Sequence, residues 1–145
     1  MLKYGITHPP LLHELAQAGH GSRILLADSN YAFDAYAPPH ATRIYLNFAP
    51  GLLAMKDVLT GILTAIPIEE AYGVLNDDSE HPPITNLYRE ILPEPIPFKR
   101  MNRFEFYELA QENRTTILIA TGETRLYANL LLTVGFINQD GSPNY

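Results

Sequence analysis

Apolar and polar positions along the chain follow two rhythms. Apolar residues at steps of three and four mark amphipathic helices, and short unbroken apolar runs mark buried strands. PPLLHELAQAG (residues 9–19) sets Leu11, Leu15 and Ala18 on one face; its prolines suit a first helical turn and Gly19 a C-terminal cap. RILLAD (23–28) reads as a buried strand ending at Asp28, and RIYLNF (43–48) as a second strand. From Pro50, Leu52, Met55, Leu59, Ile62 and Ile66 recur at helical steps until Pro67 stops them. EAYGVL (70–75) is a strand and NDDSEHPP (76–83) a polar turn. Ile84, Leu87, Tyr88 and Ile91 mark a third helix, closed by the PEPIP run. Asn102 and Glu105 have the spacing of a capping box, which predicts a fourth helix over RFEFYELAQEN (103–113). TTILIAT (115–121) and NLLLTVGF (129–136) are the last strands, joined by GETRLYA.

This alternation predicts an α/β fold, three layers with a mostly parallel central sheet flanked by helices. No repeat, low-complexity tract or dividing linker interrupts it. Residues 1–145 are expected to form a single domain, with 137–145 (INQDGSPNY) as an exposed tail.

Composition narrows the function. With 46% apolar and 18% charged residues, a chain of 145 residues buries about two-thirds of its unfolded surface and can hold a concave site. It has no cysteine, which excludes disulfides, thiol nucleophiles and thiolate metal sites. Ten basic against sixteen acidic residues give a net charge of −6, which opposes a nucleic-acid partner. No apolar run reaches the roughly 18 residues of a membrane span. The start, MLKYGITHPP, lacks a signal peptide's basic and apolar segments, so a cytoplasmic protein is expected. A neutral small molecule is the ligand this balance accommodates most easily.

Three clusters carry chemistry. In AGHGSRILLADSN, His20 precedes a strand between two glycines that relieve crowding around its ring, and Asp28 follows that strand. In open α/β folds ligands gather beyond the carboxyl ends of strands, where Asp28 falls. The same residues also suit a helix-capping imidazole and a turn-forming carboxylate. Arg103 opens the fourth helix against the macrodipole, which suits either a ligand contact or a solvated side chain. In TGETRLYAN, Tyr127 and Asn129 share one face if the backbone is extended, offering an aromatic surface, donors and an acceptor for a sugar. A sheet-edge tyrosine and a turn asparagine account for them equally well.

Other motifs are missing. There is no Walker loop and no GxGxxG, no GxSxG elbow around Ser22 or Ser29, and no metal-ligand spacing among His8, His13, His20, His40 and His81.

Taken together, GITHPPLLHELAQAGHGSRILLADSN, RFEFYELA and TGETRLYANLLLTVG resemble the ribose pyranase and fucose mutarotase family (RbsD/FucU-like), in register from about residue 5 to 136. The resemblance implies a compact subunit assembling into ring-shaped homo-oligomers, often decamers, with sites near subunit contacts. It carries the catalytic histidine to His20 and the sugar-binding aspartate to Asp28. A basic substrate contact falls on Arg103, and a sugar-binding tripeptide on Tyr127, Ala128 and Asn129. Arg103 and the following FEFYELA are closer to the fucose branch; the ribose branch tends to have histidine there. DSNYA (28–32) departs from the family's usual DANFP.

The expected reaction is interconversion of ring forms of a free monosaccharide, L-fucose first, by general acid–base chemistry without metal or cofactor. Imidazole as a class titrates near neutral pH, which makes His20 the expected proton-transfer group. Tyr127 is a second proton carrier, and Asp28 holds a hydroxyl and helps orient the imidazole. The alternatives are a D-ribose pyranase, a non-catalytic sugar-binding accessory of sugar uptake, and a structural ring protein.

Overall fold

A computed structural model describes residues 2–3 and 5–144. Helices α1 (Pro9–Gln17), α2 (Met55–Leu63), α3 (Ile84–Ile91) and α4 (Arg103–Ala110) alternate with strands β1 (Arg23–Ala27), β2 (Thr42–Tyr45), β3 (Ile68–Val74), β4 (Phe98–Met101), β5 (Thr115–Ala120) and β6 (Leu130–Val134). The strands form one sheet in the order β2-β5-β1-β6-β3-β4. β6 runs antiparallel to both neighbours, while the other three pairings are parallel.

Both sheet faces are covered, so β1 and β6 are buried at every position and mostly apolar instead of alternating. Ile24 and Leu26 of β1 pack with α1, α2 and α3 in the larger core, and Leu25 and Ala27 pack with Phe106 and Ala110 of α4 on the other side. Among the described residues, no helix is long and apolar enough to cross a membrane.

Several local expectations need correction. α1 ends with Ala18 as its extended C-cap, and the left-handed glycine is Gly21 (φ 79°), not Gly19. α2 begins at Met55, not Pro50, because residues 50–53 curl back with Gly51 and Leu53 at positive φ and bond to the backbone of Gly122. The first free N–H of α2, on Met55, is taken by the carboxylate of Glu123, 68 residues away, so no local cap marks this start. Strand β4 had no sequence signal: four residues between a proline run and the Asn102 cap are too short for a period to show. The capping box itself is present, with Asn102 accepting from Phe104 and Glu105. Residues 136–144 fold back on themselves through an Ile137–Pro143 bridge and an Asn144-to-Phe136 hydrogen bond.

Strand directions decide what meets at each end of the sheet. Because β6 is antiparallel, Leu26 and Gly73 both pair with Leu130, so the ends of β1 and β3 flank the start of β6. The parallel partner β4 then delivers Arg103 to the same end, one residue past the Asn102 cap. At the opposite end the start of β1, the end of β6 and the start of β3 converge.

Candidate active site

The first of these ends holds a cavity of about 230 Å³, lined by Asp28, Asn30, Tyr31, Val74, Arg103, Tyr107, Leu126, Tyr127 and Asn129. That lies below the roughly 300 Å³ at which drug-sized pockets begin, and suits a ligand of one small ring. The structure thus brings Asp28, Arg103, Tyr127 and Asn129 together.

Asp28 and Asn129 form the floor. Both are buried, and they are joined reciprocally: the Asp28 N–H donates to Asn129 Oδ1 and Asn129 Nδ2 donates to Asp28 Oδ2, each at 2.9 Å. Asn30 N–H donates to the other carboxylate oxygen at 2.9 Å. Burial pushes the Asp28 carboxyl above its ordinary pKa, and the charge of Glu123 adds to this; the Asn30 and Ala128 amides and the Asn129 side chain oppose it. Asp28→Asn puts an NH₂ against a donor in either amide orientation, Asn30 N–H or the Asn129 side chain. For the monosaccharide that the sequence resemblance implies as ligand, binding is expected to weaken roughly tenfold to a hundredfold, the range for losing a charged hydrogen bond, as measured by calorimetric titration.

Tyr127 does not share a strand face with Asn129. Its backbone is left-handed (φ 57°), and a turn rather than an extended segment aims its ring into the cavity. Its hydroxyl donates to Asp77 Oδ2 at 2.7 Å, and Arg103 Nη2 lies 4.0 Å from Asp77 Oδ1. Ala128 is buried and contributes backbone: its N–H supports Asp28 and its carbonyl accepts from the Tyr88 hydroxyl.

Tyr107 was not anticipated. It follows Arg103 by four residues on α4, so the two share one helix face; that spacing was the available signal. Its ring stacks on Tyr36 (4.4 Å between centroids, 17°) and meets Tyr31 edge-on at 5.5 Å. Burial, partly offset by Arg103, raises the Tyr107 phenol pKa, and the hydrogen bond to Asp77 raises that of Tyr127, so both remain donors at neutral pH.

The loop carrying Tyr127 is anchored at Glu123. This buried carboxylate takes two hydrogen bonds from the Arg125 guanidinium at 2.8 and 2.7 Å, one from Arg125 N–H at 2.9 Å and one from Met55 N–H. The Arg125 contacts foremost hold its pKa down to about 2. A depressed carboxylate contributes stability above its unfolded pKa, near 4.5, and loses it as pH falls toward about 2. Thermal melts are therefore expected to fall steeply between those values. Glu123→Gln, already lacking the contribution at pH 7, should start several degrees lower and change less across that window.

His20 lies elsewhere. It sits before β1, at the other end of the sheet, roughly 15 Å away at the rise of a strand. Its Nε2 is 2.9 Å from Glu69 Oε2, and its ring meets Phe136 edge-on at 5.2 Å. The imidazole is therefore oriented by Glu69 and not by Asp28 of the same chain, and it projects from the surface with 57% of its side chain exposed. Nothing in the sequence singled out Glu69; the antiparallel β6 brings it to His20 across 49 residues.

Comparison with known proteins agrees with this architecture. The RbsD / FucU transport protein family model matches residues 1–137. A D-ribose pyranase from Laribacter hongkongensis is 33% identical over 137 residues, covering 94% of this chain and 99% of that protein. Bacillus subtilis RbsD, solved with D-ribose, shares the fold at TM-score 0.82 and 24% identity, over 95% of this chain and all of that one. The fucose mutarotase of Streptococcus pneumoniae, solved with L-fucose, superposes at TM-score 0.76 and 25% identity, over 94% of this chain and 100% of that one. The chain belongs to the RbsD/FucU family.

Proposed function

We propose that this member of the RbsD/FucU family is a mutarotase that interconverts ring forms of a free monosaccharide, with L-fucose as its substrate. The observation that carries the reading is the pocket itself. A small cavity sets a buried carboxylate–carboxamide pair at its floor and an arginine with two protonated phenols around it, the donors and acceptors a polyol requires. Relatives named for D-ribose and L-fucose chemistry support reading that polyol as a free aldose. Arg103 followed by FEFYELA resembles the fucose branch of the family, which supports fucose. D-ribose is the second reading, favoured by the 33% identity to a D-ribose pyranase.

The proton-transfer group comes from a second copy of the chain. His20 is exposed beside Phe136 and Ile137, and the pocket mouth is flanked by exposed Phe104 and Leu126. Joining these apolar surfaces in a ring-shaped homo-oligomer, a decamer as in the family resemblance, brings one copy's imidazole to another's pocket. Glu69 accepts from His20 Nε2–H and leaves Nδ1 with the free lone pair.

In the reaction, His20 removes the proton of the anomeric hydroxyl while the Tyr127 phenol protonates the ring oxygen. The bond between the anomeric carbon and the ring oxygen breaks, giving the open aldehyde. Rotation about the first carbon–carbon bond and attack by a hydroxyl close the other form, and the two protons return. Asp28 and Asn129 hold hydroxyls, and Arg103 holds another near the mouth. No redox change occurs.

Exchange NMR on L-fucose and D-ribose, with and without protein, tests this. Accelerated exchange between ring forms supports the reading and ranks the two sugars. Saturable binding without acceleration would leave a sugar-binding accessory instead.

A further inference from the structure

Two of the cavity's polar side chains, Arg103 and Tyr127, converge on a carboxylate that is not part of the cavity wall. Asp77 lies three residues beyond Val74, in the connection from β3 to α3, with 65% of its side chain exposed. It takes the Tyr127 hydroxyl at 2.7 Å and faces Arg103 at 4.0 Å, bridging the mouth above the Asp28–Asn129 floor.

Neither partner depends on this bridge for its place. Residues 76–80 form a self-closed turn: Asn76 N–H bonds to the Glu80 carbonyl, Glu80 N–H to Asn76 Oδ1, and Ser79 N–H to the Asn76 carbonyl. Tyr127 is placed by its left-handed backbone, and Arg103 by the capped start of α4. A carboxylate held at a pocket mouth by its own turn is available to a ligand. It accepts only, so it selects a ligand hydroxyl over an ether oxygen at that position.

Resting on the sugar-binding reading above, we propose that Asp77 is a specificity-determining residue that accepts a hydrogen bond from the sugar hydroxyl at the pocket mouth. The Tyr127 hydroxyl occupies this acceptor in the structure. When a sugar enters, the phenol turns its proton to the sugar, and the freed Asp77 oxygen takes a sugar hydroxyl. One protein–protein hydrogen bond is thereby replaced by two to the ligand.

The test is calorimetric binding of L-fucose, D-ribose and the mono-deoxy fucoses to the assembled wild type, Asp77→Ala and Asp77→Asn. Asp77→Ala is expected to weaken binding of the natural sugar about tenfold, at the low end for a charged hydrogen bond because the mouth is solvated. Asp77→Asn, whose amide still offers an acceptor, recovers part of this. One mono-deoxy fucose should lose about tenfold on the wild type and nothing further on Asp77→Ala, which identifies the hydroxyl. In a Tyr127→Phe background the Asp77→Ala loss should persist. Its disappearance there would mean that Asp77 only holds Tyr127, and would overturn the proposal. Wild type that binds sugar with Asp77→Ala binding equally well overturns this inference alone; wild type that binds no sugar overturns the functional reading and this inference together.

Discussion

His20→Ala is expected to remove most of the acceleration of ring-form exchange, about 10²–10⁴-fold, the usual contribution of a positioned general acid–base. The size of the effect follows from the inventory at the site. Asp28 is already engaged by Asn30 and Asn129, Asp77 by the Tyr127 hydroxyl, and Tyr31, Tyr107 and Tyr127 keep their protons, so an imidazole brought from a second copy is the group assigned to take the anomeric proton. The fold should be indifferent to the change, because the ring is exposed and its contacts are an edge-on Phe136 and the half-exposed Glu69. Sugar affinity should change little, since the groups assigned to hold sugar hydroxyls sit at the opposite end of the sheet from the imidazole of their own copy. Exchange NMR gives the rate, calorimetry the affinity and thermal melting the fold. Loss of rate with affinity and Tm retained is the expected pattern.

Gly122→Ala should be the most damaging single-methyl change in the molecule. A Cβ at this position would overlap the backbone carbonyl of Leu52 and lie 2.8 Å from that of Ala49. Both carbonyls belong to the turn that bonds to Gly122 from the other side, with Gly51 N–H to Gly122 O at 2.7 Å and Gly122 N–H to Leu53 O at 3.1 Å. No side-chain rotation relieves the overlap, so the 49–53 turn must separate from the Gly122 loop. That separation pulls Glu123 from the start of α2 and moves Tyr127. The expected loss is about 3 kcal/mol or more of stability, the range for forced overpacking combined with a broken buried network. A fall in Tm of roughly 10 °C, or insoluble protein, would be the readout. Gly19→Ala, with open space around it, is the control and should melt like wild type.

Much of the scaffold was legible because its signals are local. β1, β5 and β6 each carry a run of three or four apolar residues, and α4 announces itself through Asn102 and Glu105. What escaped is what distant contacts decide. β4 is strand only because β3 pairs with it, and α2 starts late because Glu123 supplies the cap. In the site, residue types gave Asp28, Arg103, Tyr127 and Asn129, which the fold gathers around one cavity. Strand direction was not readable, and it separates His20 from that cavity and pairs it with Glu69. Asp77 sat in what read only as a polar turn, since its meaning comes from a tyrosine fifty residues later.

Subunit mixing tests most directly whether the two ends of the fold combine across copies into one mutarotase site. His20→Ala and Asp28→Asn proteins, each impaired alone, are co-expressed with different tags and hybrid oligomers isolated. If the imidazole of one copy serves the pocket of another, about a quarter of the sites in a one-to-one hybrid are intact and exchange activity returns in that proportion. Verified hybrids as inactive as the parent variants would contradict a shared site, and with it the role assigned to His20.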